Sequence, residues 1–260
     1  MTPIEALPEL RLFPRLTPEA RASLLSRLYE GLNAEDMLRE ALFGEMRGRI
    51  ALVSSFGAES VALLHLVARI DRATPVIFLD TEMLFPETLE YQARIAGDLG
   101  FTDMRIIRPH AHALAGADPR GDLHRSDVDG CCVIRKVLPL RTALADFDGW
   151  ITGRKRYQGG ARAALPRFET DEEGRLKLNP LADWDAGTIR GYIRAHDLPA
   201  HPLVARGFPS IGCAPCTSPV KSGEDPRAGR WRGKDKTECG IHFVDGKMVR
   251  GPATLAMDGA

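Results

Sequence analysis

The chain has 260 residues, 44% hydrophobic and 27% charged, with Lys+Arg and Asp+Glu balanced at 35 each. That length permits one large or two small globular domains with a sizeable core. A formal net charge of zero argues against a nucleic-acid coat or a membrane-surface protein, so any anion site has to be local.

The opening residues, MTPIEALPELRLFPRL, carry no basic stretch leading into an apolar run. No segment approaches ~18 consecutive apolar residues, so neither a signal peptide nor a spanning helix is expected and the expected compartment is the cytoplasm. Residues 1 to about 45 read as an N-terminal helical segment: Thr17-Pro18-Glu19 gives a cap followed by proline in the first turn, and Leu24, Leu25 and Leu28 recur at helical spacing. From Arg49 short apolar runs alternate with helical stretches: Ile50 to Val53, then Val61 to Ile70; Val76 to Leu79, then Pro86 to Leu99; Met104 to Ile107; Trp150 to Thr152. This alternation predicts an α/β fold, a mostly parallel sheet flanked by helices.

Gln158 to Gly174 is rich in glycine, proline and charge and reads as a mobile loop. Leu176 to Leu178 reads as a short strand and Trp184 to His196 as an amphipathic helix. Past Pro199 the helical periodicity is lost, and residues 207 to 240 hold three of the five cysteines. Long irregular segments in compact proteins are either disordered or functional, and the cysteines favour function. The expected organisation is a ligand-binding core over 46–219 and a mobile C-terminal tail over 220–260.

Ser54-Ser55-Phe56-Gly57-Ala58-Glu59-Ser60 lies between a strand and a helix, where backbone N–H groups converge and favour an anion. Gly57 permits close backbone approach and the serine hydroxyls add donors, although an ordinary turn explains the same residues. Asp80 and Thr81 follow the next strand, where ligands sit in open α/β sheets. Asp80 is placed to meet a nucleotide or to cap the strand end.

The cysteines fall as Cys131-Cys132, then Cys213-Ala214-Pro215-Cys216, then Cys239 alone. Thiolate-rich sites select zinc or iron–sulfur clusters. Adjacent cysteines reach separate corners of a four-iron cubane more readily than one tetrahedral ion, while apolar packing of the pair and a structural zinc remain alternatives. Lys136 shares a helical face with Cys132 and stands where a cation could meet cluster and anion. Cys239 lies in a basic stretch with Arg227, Arg230, Arg232 and Lys234, and nearby cations favour a reactive thiolate. His242 reads as a base or a surface residue.

From Ser54 to His242 the sequence resembles the assimilatory adenylyl-sulfate and phosphoadenylyl-sulfate reductases, specifically the bacterial iron–sulfur branch. The resemblance is carried, in the family's order, by SSFGAES, LDTEMLFPET, CCVIRK, ITGRKRYQGGAR, NPLADW, SIGCAPCTSPV, RAGRW and KTECGIH. It implies an adenine nucleotide alpha hydrolase-like fold. It further implies that Cys131, Cys132, Cys213 and Cys216 hold a 4Fe-4S cluster, with Lys136 between cluster and substrate and Cys239 as nucleophile. Ser54, Ser55 and Ser60 would line the phosphate site, with Gly153 near the nucleotide and Arg162, Arg227 and Arg230 neutralising phosphate and sulfate. His242 joins the expected substrate set, and the expected reductant is thioredoxin or a glutaredoxin-like dithiol.

Adenylyl sulfate is expected over its 3′-phosphorylated form, although Arg154, Lys155 and Arg156 could hold a 3′-phosphate. Glu82 departs from the pattern, since many members have glycine there. No nucleic acid or membrane partner is expected, and homo-oligomerisation is left open. Two other readings compete: a metal-dependent tRNA sulfur transferase, and a zinc-stapled nucleotide-binding module. Zero net charge and the absence of a basic aromatic platform count against the first; the second leaves Cys239 and its arginines unexplained.

Overall fold

The computed structural model, which describes residues 16–44, 46–234, 236 and 238–241, begins with two capped helices. Thr17 accepts from the Ala20 N–H at 3.3 Å to start α1 (Pro18–Leu28), and Asn33 accepts from the Asp36 N–H at 2.9 Å to start α2 (Ala34–Phe43). Both satisfy helix N–H groups that lack an intrahelical partner. Then follow β1 (Ile50–Val53), α3 (Ser60–Ile70), β2 (Val76–Leu79), α4 (Pro86–Leu99) and β3 (Met104–Ile107). The short helices α5 (Ala111–Ala117), α6 (Leu123–Ser126) and α7 (Val128–Cys132) lead through a π-turn over Val133–Val137 into α8 (Leu138–Ala143). The strands β4 (Gly149–Ile151), β5 (Phe168–Thr170) and β6 (Leu176–Leu178) precede α9 (Ala186–Ala195).

The strands form one sheet in the order β3-β2-β1-β4-β6-β5, parallel except where β5 pairs with β6. Ile50, Ala51 and Leu52 of β1 and Val76, Ile77 and Phe78 of β2 are all buried, the pattern of strands covered on both faces. On one face Leu52 and Phe78 pack with Leu38, Leu64 and Tyr91 from the helices; on the other, Ala51, Ile77 and Trp150 pack against Leu140 and Leu144.

The N-terminal helices join this core. Tyr29 stands edge-on to Phe168 with ring centroids 5.2 Å apart. Arg167 donates to the Tyr29 and Leu32 carbonyls at 2.6 and 3.0 Å, tying the turn after α1 to the segment before β5.

The segment read as a mobile loop, Gln158 to Gly174, contains β5, and Asn179 N–H donates to the Arg167 carbonyl at 2.8 Å beside its ladder with β6. The final helix starts at Ala186 rather than Trp184, because Asp185 caps it by accepting from the Thr188 N–H at 2.7 Å. Among the described residues no helix is long and apolar enough to cross a membrane. Since β1 lies between β2 and β4, the chain winds outward in both directions from β1. The carboxyl ends of β1 and β4 therefore mark the switch point where open α/β sheets bind ligands.

Candidate active site

The loops after β1 and β4 open a cleft of about 180 Å³. Ser54, Ser55, Gly57 and Ser60 line it from the first loop and Gly153 from the second, with Arg162, Arg227 and Arg230 completing it. The first loop is ordered from within: Ser54 Oγ accepts from the Phe56 N–H at 3.2 Å and Ser60 Oγ from the Gly57 N–H at 3.0 Å. Phe56 holds a left-handed backbone, φ +47°, with its ring buried edge-on against Phe78 at 5.4 Å. A left-handed conformation costs an L residue energy, and burial of the ring offsets it. A Cβ on Gly57 would stand 3.5 Å from Ser55 Oγ and 3.9 Å from Ser60 Oγ. Glycine thus keeps the approach to both hydroxyls open.

The adjoining compartment is lined by Lys136, Arg162, Arg227, Arg230 and Cys239, and it shares Ser54 and Ser55 with the cleft. Cys131 and Cys132 end α7, which Asp127 caps by accepting from the Gly130 N–H at 2.8 Å. Arg135, on the π-turn, is buried and donates to Asp118 at 2.7 Å and to the Thr81 carbonyl at 2.9 Å. That ties the cysteine segment to the end of β2. The Cys213–Cys216 turn is fastened to the same place, since Ala214 N–H donates to the Met83 carbonyl at 2.8 Å and Thr81 Oγ lies 3.2 Å from Cys213 Sγ.

All five cysteines are free thiols. Burial and the nearby Cys213 and Cys216 sulfurs push the Cys131 thiol up to about 11. Cys132 hydrogen-bonds Cys239 and, buried as well, keeps its proton far above the ordinary range. The Cys239 thiol falls well below its usual value: the Cys132 hydrogen bond lowers it most, burial opposes this, and the Lys136 charge lowers it further. Burial also acts against the Lys136 charge, but the Cys239, Cys213 and Cys132 sulfurs outweigh it and hold that lysine above its usual range. Soft sulfur donors suit zinc or iron–sulfur centres. Among the described residues no three Cys, His, Asp or Glu side chains are grouped as around a single metal ion. A cubane, with a separate iron for each thiolate, asks for a wider spread, and Cys131, Cys132, Cys213 and Cys216 fit it in donor chemistry.

Arg162 donates from Nε and Nη2 to the Glu238 carboxylate at 2.6 and 2.8 Å, and Arg227 stands 3.7 Å from the same group. Burial works against the Glu238 charge, but Arg162 and Arg227 outweigh it and keep its pKa below the usual carboxylate value. Arg230 donates to the Ile211 carbonyl at 3.3 Å and lies 4.5 Å from the centre of the Trp231 ring, while its buried Nε has no hydrogen-bond partner among the described residues. A Cβ on Gly212 would come 2.3 Å from Arg230 Nη2, so glycine there admits the guanidinium.

The structure thus brings Ser54, Ser55, Gly57, Ser60, Gly153, Lys136, Arg162, Arg227, Arg230 and Cys239 to one connected space. Asp80, expected to meet substrate, is not among the residues that line that space. Its oxygens are taken by the Glu82 N–H at 3.0 Å and by Arg108 at 2.9 Å, which makes it the strand-end cap. Glu82 itself takes the left-handed conformation, φ +58°, so the turn keeps a glycine-like shape despite the substitution. Of the basic trio, Arg154 and Lys155 are buried and Arg156 is partly exposed, and each has a carboxylate partner. Arg154 pairs with Glu169, Lys155 with Glu59 at 3.1 Å, and Arg156 with Asp183. His242 lies outside the described residues. Reading the sequence assigned no role to Glu238 or Glu59; the one available signal was an acid placed beside Cys239 in an otherwise basic stretch.

Comparison with known proteins gives the same outline. The sequence model of the phosphoadenosine phosphosulfate reductase domain matches residues 49–219. Adenosine 5′-phosphosulfate reductase of Mesorhizobium japonicum is 50% identical over 224 residues, covering 86% of this chain and 88% of the relative. Phosphoadenosine 5′-phosphosulfate reductase of Gloeobacter violaceus is 41% identical, covering 84% and 92%. Among solved structures, phosphoadenylyl-sulfate reductase from Candida auris superposes with a TM-score of 0.65 at 26% identity, covering 77% of this chain and 97% of that one.

Proposed function

The chain belongs to the phosphoadenosine phosphosulfate reductase family, and from that membership we propose that it reduces adenylyl sulfate to sulfite and AMP in the cytoplasm, with Cys239 as nucleophile. The observation that carries this reading is the placement of Cys239 beside Lys136 in a compartment lined by Arg162, Arg227 and Arg230 and continuous with the serine-lined cleft. An adenylyl group in the cleft would present its sulfate to that compartment.

The Cys239 thiolate attacks the sulfate sulfur, the S–O bond to the phosphate breaks, and AMP leaves, so the sulfonate is carried as S-sulfocysteine. Arginine and lysine offset the charge that develops on the departing phosphate. A thioredoxin-like dithiol then attacks Cys239 Sγ and sulfite departs; the resulting mixed disulfide is resolved by the second thiol. Two electrons from the dithiol take the sulfur to sulfite, and the cysteine returns unchanged. Cys131, Cys132, Cys213 and Cys216 would hold a 4Fe-4S cluster, which would tie the tail to the main domain and supply a polarising charge near the substrate. Cys239 is only 9% exposed, so the reductant needs the tail to move outward.

The test is a single-turnover experiment. Adenylyl sulfate without reductant should release one equivalent of AMP and add the mass of a sulfonate to the Cys239 peptide. Sulfite appearing without that adduct, or AMP released only after thiol is added, would overturn the two-step scheme.

A further inference from the structure

Glu238 already fills part of the anion site. Its carboxylate accepts two hydrogen bonds from Arg162, at 2.6 and 2.8 Å, and lies 3.7 Å from Arg227. Both arginines line the cleft and the compartment that holds Cys239. The Cys239 N–H donates to the same Glu238 oxygen, Oε1, at 2.9 Å. One carboxylate oxygen therefore joins the cationic wall to the backbone of the nucleophile. Among the described residues the neighbouring Arg230 has a buried Nε with no hydrogen-bond partner, so the carboxylate leaves part of the cationic wall unsatisfied.

Carboxylate and phosphate oxygens dock on a guanidinium in the same two-point way, and two anions crowded onto one arginine repel. We propose that Glu238 is the resident anion of Arg162 and Arg227, and that a nucleotide phosphate binds by displacing it, so that filling the cleft loosens the hold on Cys239. Glu238 is a positioning residue: it keeps the arginines preorganised and the tail closed until a ligand with matching anionic groups arrives. A neutral nucleoside, which cannot replace the carboxylate, leaves the tail in place. The identity of the incoming anion rests on the functional reading above; the latch rests on the geometry around Glu238.

The test uses full-length, cluster-loaded protein and AMP as the probe. In Glu238→Gln the competing charge is gone but the side-chain size is kept, so AMP should bind about three- to tenfold more tightly by calorimetry, with adenosine unchanged. In the wild-type protein, saturating AMP should speed alkylation of Cys239 by iodoacetamide, followed by peptide mapping, while adenosine should not. That second measurement stands even where the variant folds poorly. AMP affinity that is unchanged or weaker in a folded Glu238→Gln protein, or wild-type alkylation indifferent to AMP, overturns the latch alone. A wild-type protein that binds neither AMP nor adenylyl sulfate overturns the latch together with the functional reading.

Discussion

Cys239 and Cys132 hydrogen-bond each other, yet the two thiols are assigned different work, and substitution separates them. Cys239→Ser should lower sulfite production by at least about 10³-fold, as expected for loss of a nucleophile, while keeping the visible absorption expected of the proposed cluster. Cys213→Ser should bleach the protein and lower its melting temperature, because a missing thiolate unties the tail turn from the main domain. A visible spectrum unchanged in Cys213→Ser, or lost in Cys239→Ser, would break the division into four ligands and one nucleophile. Glu82 offers a purely conformational test. It is exposed and holds φ +58°, a strain of about 1 kcal/mol or more for an L residue. Glu82→Gly relieves that strain but gives the unfolded chain more freedom, so a net gain of up to about 1 kcal/mol is expected in denaturant unfolding. A clear loss of stability would mean that the Glu82 side chain makes a favourable contact.

At the scale of elements, Arg135 links two that sequence keeps far apart, the cysteine-bearing π-turn and the end of β2. Its pair with Asp118 is 5% and 0% exposed at the two side chains, and it also donates to the Thr81 carbonyl. Removing one partner of a buried pair strands the other charge, so Asp118→Asn should cost about 3 kcal/mol in unfolding free energy and weaken cluster retention. A fully stable Asp118→Asn protein would show that Arg135 finds another partner. The sequence carries part of this arrangement. The apolar runs of β1, β2 and β3 and the cap of α1 were legible because each follows from local periodicity or capping chemistry. The strand β5 was not, since three residues, Phe168–Thr170, give no period, and their pairing depends on β6 beyond a turn. The link from Arg135 to Thr81 was equally invisible, because nothing local in CCVIRK tells which cation turns inward. Nor could spacing show that Arg162, expected to meet substrate, would already hold Glu238.

For the whole molecule, the winding of the sheet outward from β1 sets the cleft, and charges around the cleft set which nucleotide it accepts. A 3′-phosphate adds negative charge that has to find cations. Arg154 and Lys155 are 5% and 3% exposed and already paired, with Glu169 and Glu59, and Arg156 pairs with Asp183. A 3′-phosphate that drew Arg154 or Lys155 to itself would take it from Glu169 or Glu59, so the new contact is offset by the loss of an existing ion pair. No net gain is left to favour the phosphorylated nucleotide. We therefore expect kcat/KM to favour adenylyl sulfate by at least about tenfold. Glu59→Gln should narrow that ratio, because it frees Lys155 beside the cleft while leaving Cys239 and its arginines in place. A preference of the wild-type protein for the 3′-phosphorylated substrate would show that these pairs exchange partners on binding, and would reassign the nucleotide without altering the chemistry at Cys239.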